Sequence, residues 1–162
     1  MSKLSDSMRQ FLNGCHYGTL ATFNEDGSIH LTPVWYLFED DHFFVESGAA
    51  ARKVRNILAR PRATIMVDIR KLGAERWVSG SGTAEVIRGE RSKEISTKIH
   101  QRYMTKTALE DPQIGPAMAA AGETAISLKP ESWQSWELKS LDDQYFGGLL
   151  GQTPEKWFLP LD

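Results

Sequence analysis

A single cysteine, Cys15, in 162 residues excludes an intrachain disulfide and any cage of cysteines around a metal. The N-terminal stretch MSKLSDSMRQ lacks the apolar run of a signal peptide, and with so little cysteine a reducing, cytoplasmic setting is expected. No apolar run reaches the length needed to cross a bilayer, so a membrane is not an expected partner. An excess of one charge is missing too: 19 Lys and Arg stand against 21 Asp and Glu, which argues against nucleic acid as a partner. The four histidines, His16, His30, His42 and His100, show no metal-ligand spacing and read as core or surface residues. The stretch SGSGTAE has glycines but neither the lysine nor the following helix of a phosphate-binding loop. Nothing in the sequence places a general base beside Cys15, which reads as a small buried hydrophobe.

What the chain does have is hydrophobic patterning with two periods. Leu4, Met8, Phe11 and Leu12 fall at helical spacing between the cap candidates Ser5 and Asp6 and the stop Gly14. Residues 16–23 and 28–38 are rich in β-branched and aromatic side chains around an Asp-Gly turn, the pattern of a hairpin, and 42–47 follows as another strand. A helix is predicted from about Ala50 to Arg60, ended by Pro61. Strands 62–69 and 76–87 come next, the second with glycines that suggest a bulge. Ile95, Ile99 and Tyr103 mark a helix within 89–104, and a shorter one is predicted in 111–123. Two further strands are predicted at 124–130 and 132–139, before a segment, 140–162, too rich in Tyr, Phe, Trp and Leu to float free. That tail is expected to pack on its own domain or on a partner subunit.

Six or seven strands in hairpin succession with short flanking helices predict a mainly β, α+β fold. The form expected is one domain over 1–162, an antiparallel sheet closed or nearly closed into a small barrel, with an N-terminal helix within 1–14. The strand TPVWYLF is apolar at both parities. One face would fill the barrel, and a second copy of the chain is the expected cover for the other, which makes a homodimer.

The chemistry concentrates in residues 49–68, where Arg52, Lys53, Arg55, Arg60 and Arg62 crowd together. Arg52 and Lys53 fall in the first turn of a helix, whose free N–H groups and dipole already favour an anion. Cations there weaken the helix unless a dianion such as phosphate is bound. Ser47, at the preceding strand end, adds a hydroxyl, and Gly48 to Ala51 leave room for close approach. A solvated basic face is the competing reading. Arg55 and Arg62 fit pairing with surface acids equally well.

The run TPVWYLFEDDHFFVESGAAARKVRNILARPRATIMVD, followed by SGSGTAEVI, resembles the pyridoxamine 5'-phosphate oxidase-like split-barrel superfamily of flavin- and deazaflavin-binding proteins. The resemblance implies a dimer of split barrels with FMN at the subunit interface and Ser47, Arg52 and Lys53 on its phosphate. It also implies that the isoalloxazine lies along Thr32, Pro33, Val34, Trp35 and Tyr36, with Trp77 presented from a neighbouring strand. Val34, Trp35, Trp77 and aromatics of the tail would then shape a largely apolar pocket for a small-molecule substrate. No C-terminal Arg- and His-containing substrate motif is present, so oxidation of vitamin B6 is not expected. The same stretch also resembles the smaller branch that uses the deazaflavin coenzyme F420, whose acidic tail Arg55, Arg60 and Arg62 could serve. The activity implied is that of an oxidoreductase, with a non-enzymatic flavin-binding protein as the alternative.

Overall fold

The computed structural model describes residues 3–160; the ends of the expected N- and C-terminal segments, 1–2 and 161–162, lie outside them. In chain order the elements are α1 (Asp6–Leu12), β1 (Gly18–Phe23), β2 (Ile29–Val34), β3 (Leu37–Glu39), β4 (His42–Ser47), α2 (Arg52–Ala59), β5 (Arg62–Ile69) and β6 (Arg76–Arg88). They continue with α3 (Glu90–Tyr103), α4 (Lys106–Glu110), α5 (Ile114–Ala121), β7 (Thr124–Glu137), α6 (Leu138–Tyr145), α7 (Leu149–Gln152) and α8 (Pro154–Trp157). No helix among the described residues is long and apolar enough to cross a membrane.

The frame is a ribbon of two long strands. β6 and β7 pair from Arg76↔Glu137 to Arg88↔Thr124, β5 joins the first half of β6, and β4 joins the start of β7. The antiparallel sheet runs β2-β1-β5-β6-β7-β4-β3. Its two edge strands, β2 and β3, are separated in the chain by only Trp35 and Tyr36. Laid flat, seven strands at about 4.8 Å spacing would hold the edges about 29 Å apart. The short linker spans about 11 Å at most, so the sheet must curl until its edges meet. That curl is the split barrel the sequence predicts.

Three expectations change in detail. The predicted strand 28–38 leaves the β1 ladder at Val34, and the Tyr36 N–H donates to the Tyr103 hydroxyl at 3.3 Å rather than to a strand. The two predicted strands at 124–130 and 132–139 are one, β7, because Pro130, which has no N–H to give, stands at a bulge opposite Gly82. A Cβ on Gly82 would run into the Lys129 carbonyl, which is why a residue without one is needed there. Cys15 is exposed rather than buried, since it lies in the loop between α1 and β1.

The doubly apolar strand is covered from within the chain. Val34, Tyr36 and Phe38 point into the barrel core with Phe43, Ile65 and Leu128, while Trp35 and Leu37 pack on a second cluster built by Ile95 and Ile99 of α3. The unpartnered apolar surface is elsewhere, on the outer face of the β1–β2 hairpin. Ile29 and Leu31 are 60% and 62% exposed there, beside Phe23. In the C-terminal segment the buried Asp142 accepts from the backbone N–H groups of Leu150 and Gly151 at 3.0 and 2.7 Å, which folds α7 back on α6. Tyr145, Phe146, Leu149 and Trp157 remain exposed.

Candidate functional site

The end of β4 and the start of α2 meet beside the point where β2 leaves the sheet. Ala51 caps α2 without a side-chain hydrogen bond, and the first turn carries two cations and no acid. Gly48 has open space where a Cβ would stand. A cavity of about 310 Å³ opens here, with Pro33, Val34 and Trp35 along one wall and Ser47, Gly48 and Lys53 along another. α3 and α5 close it with Ile99, His100 and Met118, and Glu46 completes the lining.

Two of its groups suit an anion. Lys53 is half-buried, and the loss of water around its ammonium holds its pKa below the ordinary lysine value. A bound anion would restore what burial removes. Ser47 is buried, and among the described residues its hydroxyl has only a long 3.4 Å bond to the Gly48 carbonyl, so it is easily redirected to a ligand.

The apolar wall is braced by aromatic stacking. Trp35 lies parallel on Tyr103, centroids 5.0 Å apart and planes 2° from parallel. Tyr103 is fixed in turn: its hydroxyl donates to the His16 carbonyl at 2.6 Å, and burial pushes its pKa up. Tyr36 is fully buried and donates its hydroxyl to the Leu12 carbonyl at 2.8 Å. Its side chain therefore belongs to the core, and its main-chain N–H is taken up by the Tyr103 hydroxyl. The Thr32 hydroxyl is within 2.8 Å of His30 Nε2 on the same strand and does not line the cavity.

Arg52 is turned the other way. With Arg55 and Arg60 it lines a separate groove against the turn at Asn24–Ser28. Asp26 in that turn is held below the usual carboxylate range, first by hydrogen bonds from Ser28 and also by the Arg52 charge. Arg60 donates to the Asn24 and Glu25 carbonyls at 2.8 and 2.9 Å, and Arg62 pairs with Glu131 at 2.7 Å. Trp77 is opposite Asp68 and Trp136 in the sheet, outside the lining of the Lys53 cavity.

Glu46, His100 and Met118 were not foreseen as site residues. For His100 a signal exists: Ser92, Ser96 and His100 form a buried polar stripe at four-residue spacing beside Ile95 and Ile99. Such a stripe on a buried helix face marks polar groups placed inside for a reason.

The model of the family described as pyridoxamine 5'-phosphate oxidase matches residues 4–137, through the whole barrel to the end of β7. The chain belongs to the pyridoxamine 5'-phosphate oxidase family. Solved structures agree on the fold. A conserved hypothetical protein from Mycobacterium tuberculosis superposes with a TM-score of 0.70 at 25% identity, covering 87% of this chain and 88% of that one. An F420 reductase superposes at TM-score 0.61 and 21% identity, covering 78% of this chain and 94% of its own. An FAD-binding protein from Mesorhizobium loti gives 0.60 at 20% identity, with 85% and 95% covered. No curated protein matches this chain significantly.

Proposed function

We propose that this member of the pyridoxamine 5'-phosphate oxidase family is a flavin-dependent oxidoreductase that binds FMN at a homodimer interface. The observation that carries the reading is the cavity itself. It joins a partly desolvated lysine with no ion pair among the described residues, and a loosely held serine hydroxyl, to the apolar wall Pro33–Val34–Trp35. A phosphate on Ser47 and Lys53 with a planar ring against residues 32–36 uses both features. When bound, the flavin supplies the hydride or electron transfer. The chain's own residues hold the phosphate, set the ring against the Trp35 wall and exclude water from one side of it.

The dimer rests on the outer face of β1 and β2. Ile29, Leu31 and Phe23 form an exposed apolar strip that a second copy would cover. Trp77, on the same sheet but away from its own chain's cavity, would reach a ring only across such an interface. The substrate in this reading is a small, largely apolar molecule.

A second reading, with coenzyme F420 in place of FMN, is favoured by the Arg52 groove. Arg52 and Arg55 are exposed and have no ion pair among the described residues, and the groove of about 700 Å³ begins one residue along α2 from Lys53. An acidic tail extending from the Lys53 end would find cations there. Of the proteins with this fold, one is named for F420 and another for the flavin FAD, which is in keeping with a flavin-type cofactor in general.

Turnover separates an enzyme from a flavin store. Protein loaded with FMN or F420 and reduced is mixed with quinone, nitro and enone acceptors. Reoxidation faster than that of free cofactor supports an oxidoreductase, and rates equal to free cofactor with all three leave a binding protein.

A further inference from the structure

At the α3 side of the same cavity, His100 Nε2 lies 2.6 Å from Glu46 Oε2. The His100 side chain is 6% exposed and that of Glu46 18%. The two atoms are in ion-pair contact but not aligned as a hydrogen bond, and neither has another hydrogen-bond partner among the described residues. Buried polar groups are costly when their bonds go unmade, so a pair in this condition is completed by something else.

The charges of the cavity narrow what completes it. Lys53 and Glu46 face one space of about 310 Å³. A ligand anionic along its length would be repelled by Glu46, and a simple cation by Lys53. A molecule with a phosphate at one end and neutral hydrogen-bond donors a few atoms on satisfies both. Glu46 and Ser47 are consecutive, so the phosphate site and the carboxylate are joined by a single peptide unit.

We propose that the Glu46–His100 pair reads hydroxyl groups, making the cavity selective for a phosphorylated polyol chain that carries a planar ring. Glu46 accepts hydrogen bonds from the chain hydroxyls, and His100 is a positioning residue that aligns with the carboxylate and holds it toward the ligand. This inference rests on the flavin reading above and specifies how the chain between phosphate and ring is recognised.

The test compares three ligands: FMN, riboflavin, which lacks the phosphate, and lumiflavin, which lacks the whole polyol chain, with their 5-deaza counterparts run alongside. Dissociation constants are read by fluorescence titration for wild type, E46Q, H100L, H100Q and K53A, each checked for folding by thermal melt. Wild type is expected to prefer riboflavin over lumiflavin by about tenfold or more. E46Q and H100L bring that ratio close to one, H100Q retains part of it, and K53A leaves it intact while erasing the preference of FMN over riboflavin. E46Q is isosteric and keeps the test open if H100L does not fold. An unchanged riboflavin-to-lumiflavin ratio in folded E46Q overturns this inference and leaves the cofactor reading standing. A wild type that binds no member of either series overturns both.

Discussion

Arg52 and Lys53 are consecutive residues of α2, yet they serve different cavities: Lys53 lines the space that holds Ser47 and Trp35, and Arg52 the groove at the Asn24–Ser28 turn. Successive positions on a helix point about 100° apart, so this basic pair divides between two cavities rather than closing on one. The two charges are therefore separable by mutation. Lys53→Ala should cost about 1.5–3 kcal/mol of FMN binding, ten- to a hundred-fold in affinity. Arg52→Ala should cost little for FMN and more for F420, with its longer acidic tail. Equal losses for FMN from both substitutions would show that the pair acts on one phosphate.

The lysine also predicts a pH dependence. Desolvation depresses the Lys53 pKa in the free protein below 10.5, and a bound phosphate raises it again. Phosphate affinity is then complete below the depressed value and is lost as pH rises through it, at a lower pH than an ordinary lysine would give. Without ligand the sign is opposite for stability: the unfolded chain binds the proton more tightly, so the contribution of Lys53 improves as pH rises toward 10.5. FMN titrations from pH 7 to 10 on wild type and Lys53→Arg check this, and an identical pH profile in both would refute it.

The outer face of β2 should decide assembly. Leu31 is 62% exposed on a strip that the described residues leave uncovered. If the wild type is the proposed dimer, Leu31→Asp is expected to leave a folded monomer, read by analytical ultracentrifugation. A dimer indifferent to the substitution would put the interface elsewhere, and a monomeric wild type would overturn the homodimer.

Two substitutions probe the frame that positions the cavity. Gly82→Ala forces a Cβ into the Lys129 backbone at the bulge between β6 and β7 and should destabilise by about 1–3 kcal/mol in denaturant unfolding. A change within about 0.5 kcal/mol would mean the bulge absorbs the methyl group.

Tyr36→Phe removes the buried bond to the Leu12 carbonyl, which Arg102 also serves at 2.9 Å. The loss should stay near about 0.5–1 kcal/mol, a fall in Tm of roughly 1–4 °C. A fall beyond about 10 °C would show that the hydroxyl is holding more than one bond.

Much of this architecture was legible in the residues. Period-two and period-four patterning located the strands and the helices α1, α2 and α3, and the glycines of SGSGTAE did mark a bulge, with Gly82 facing Pro130. Pro33, Val34, Trp35, Ser47 and Lys53 line one cavity, and the sequence pointed to them because small residues, a helix start and a strand end follow one another locally in the chain. What could not be read was non-local. TPVWYLF is apolar on both faces whether a partner or α3 covers it, and the sequence does not say that Trp35 stacks on Tyr103, 68 residues away. Glu46 and His100 come from a strand and a helix joined only through tertiary packing. Arg52 looked equivalent to Lys53 because adjacency in sequence hides their angular separation.

We propose above all that the Lys53 cavity holds a flavin or deazaflavin by its phosphate. The most direct measurement is the visible absorption spectrum of the protein after incubation with FMN or with F420 and gel filtration to remove free ligand, for wild type and Lys53→Ala. A two-band flavin spectrum, or the single band of the deazaflavin, retained by wild type and lost from Lys53→Ala is the predicted result. Retention of neither cofactor by the wild type, or equal retention by the variant, would contradict the account.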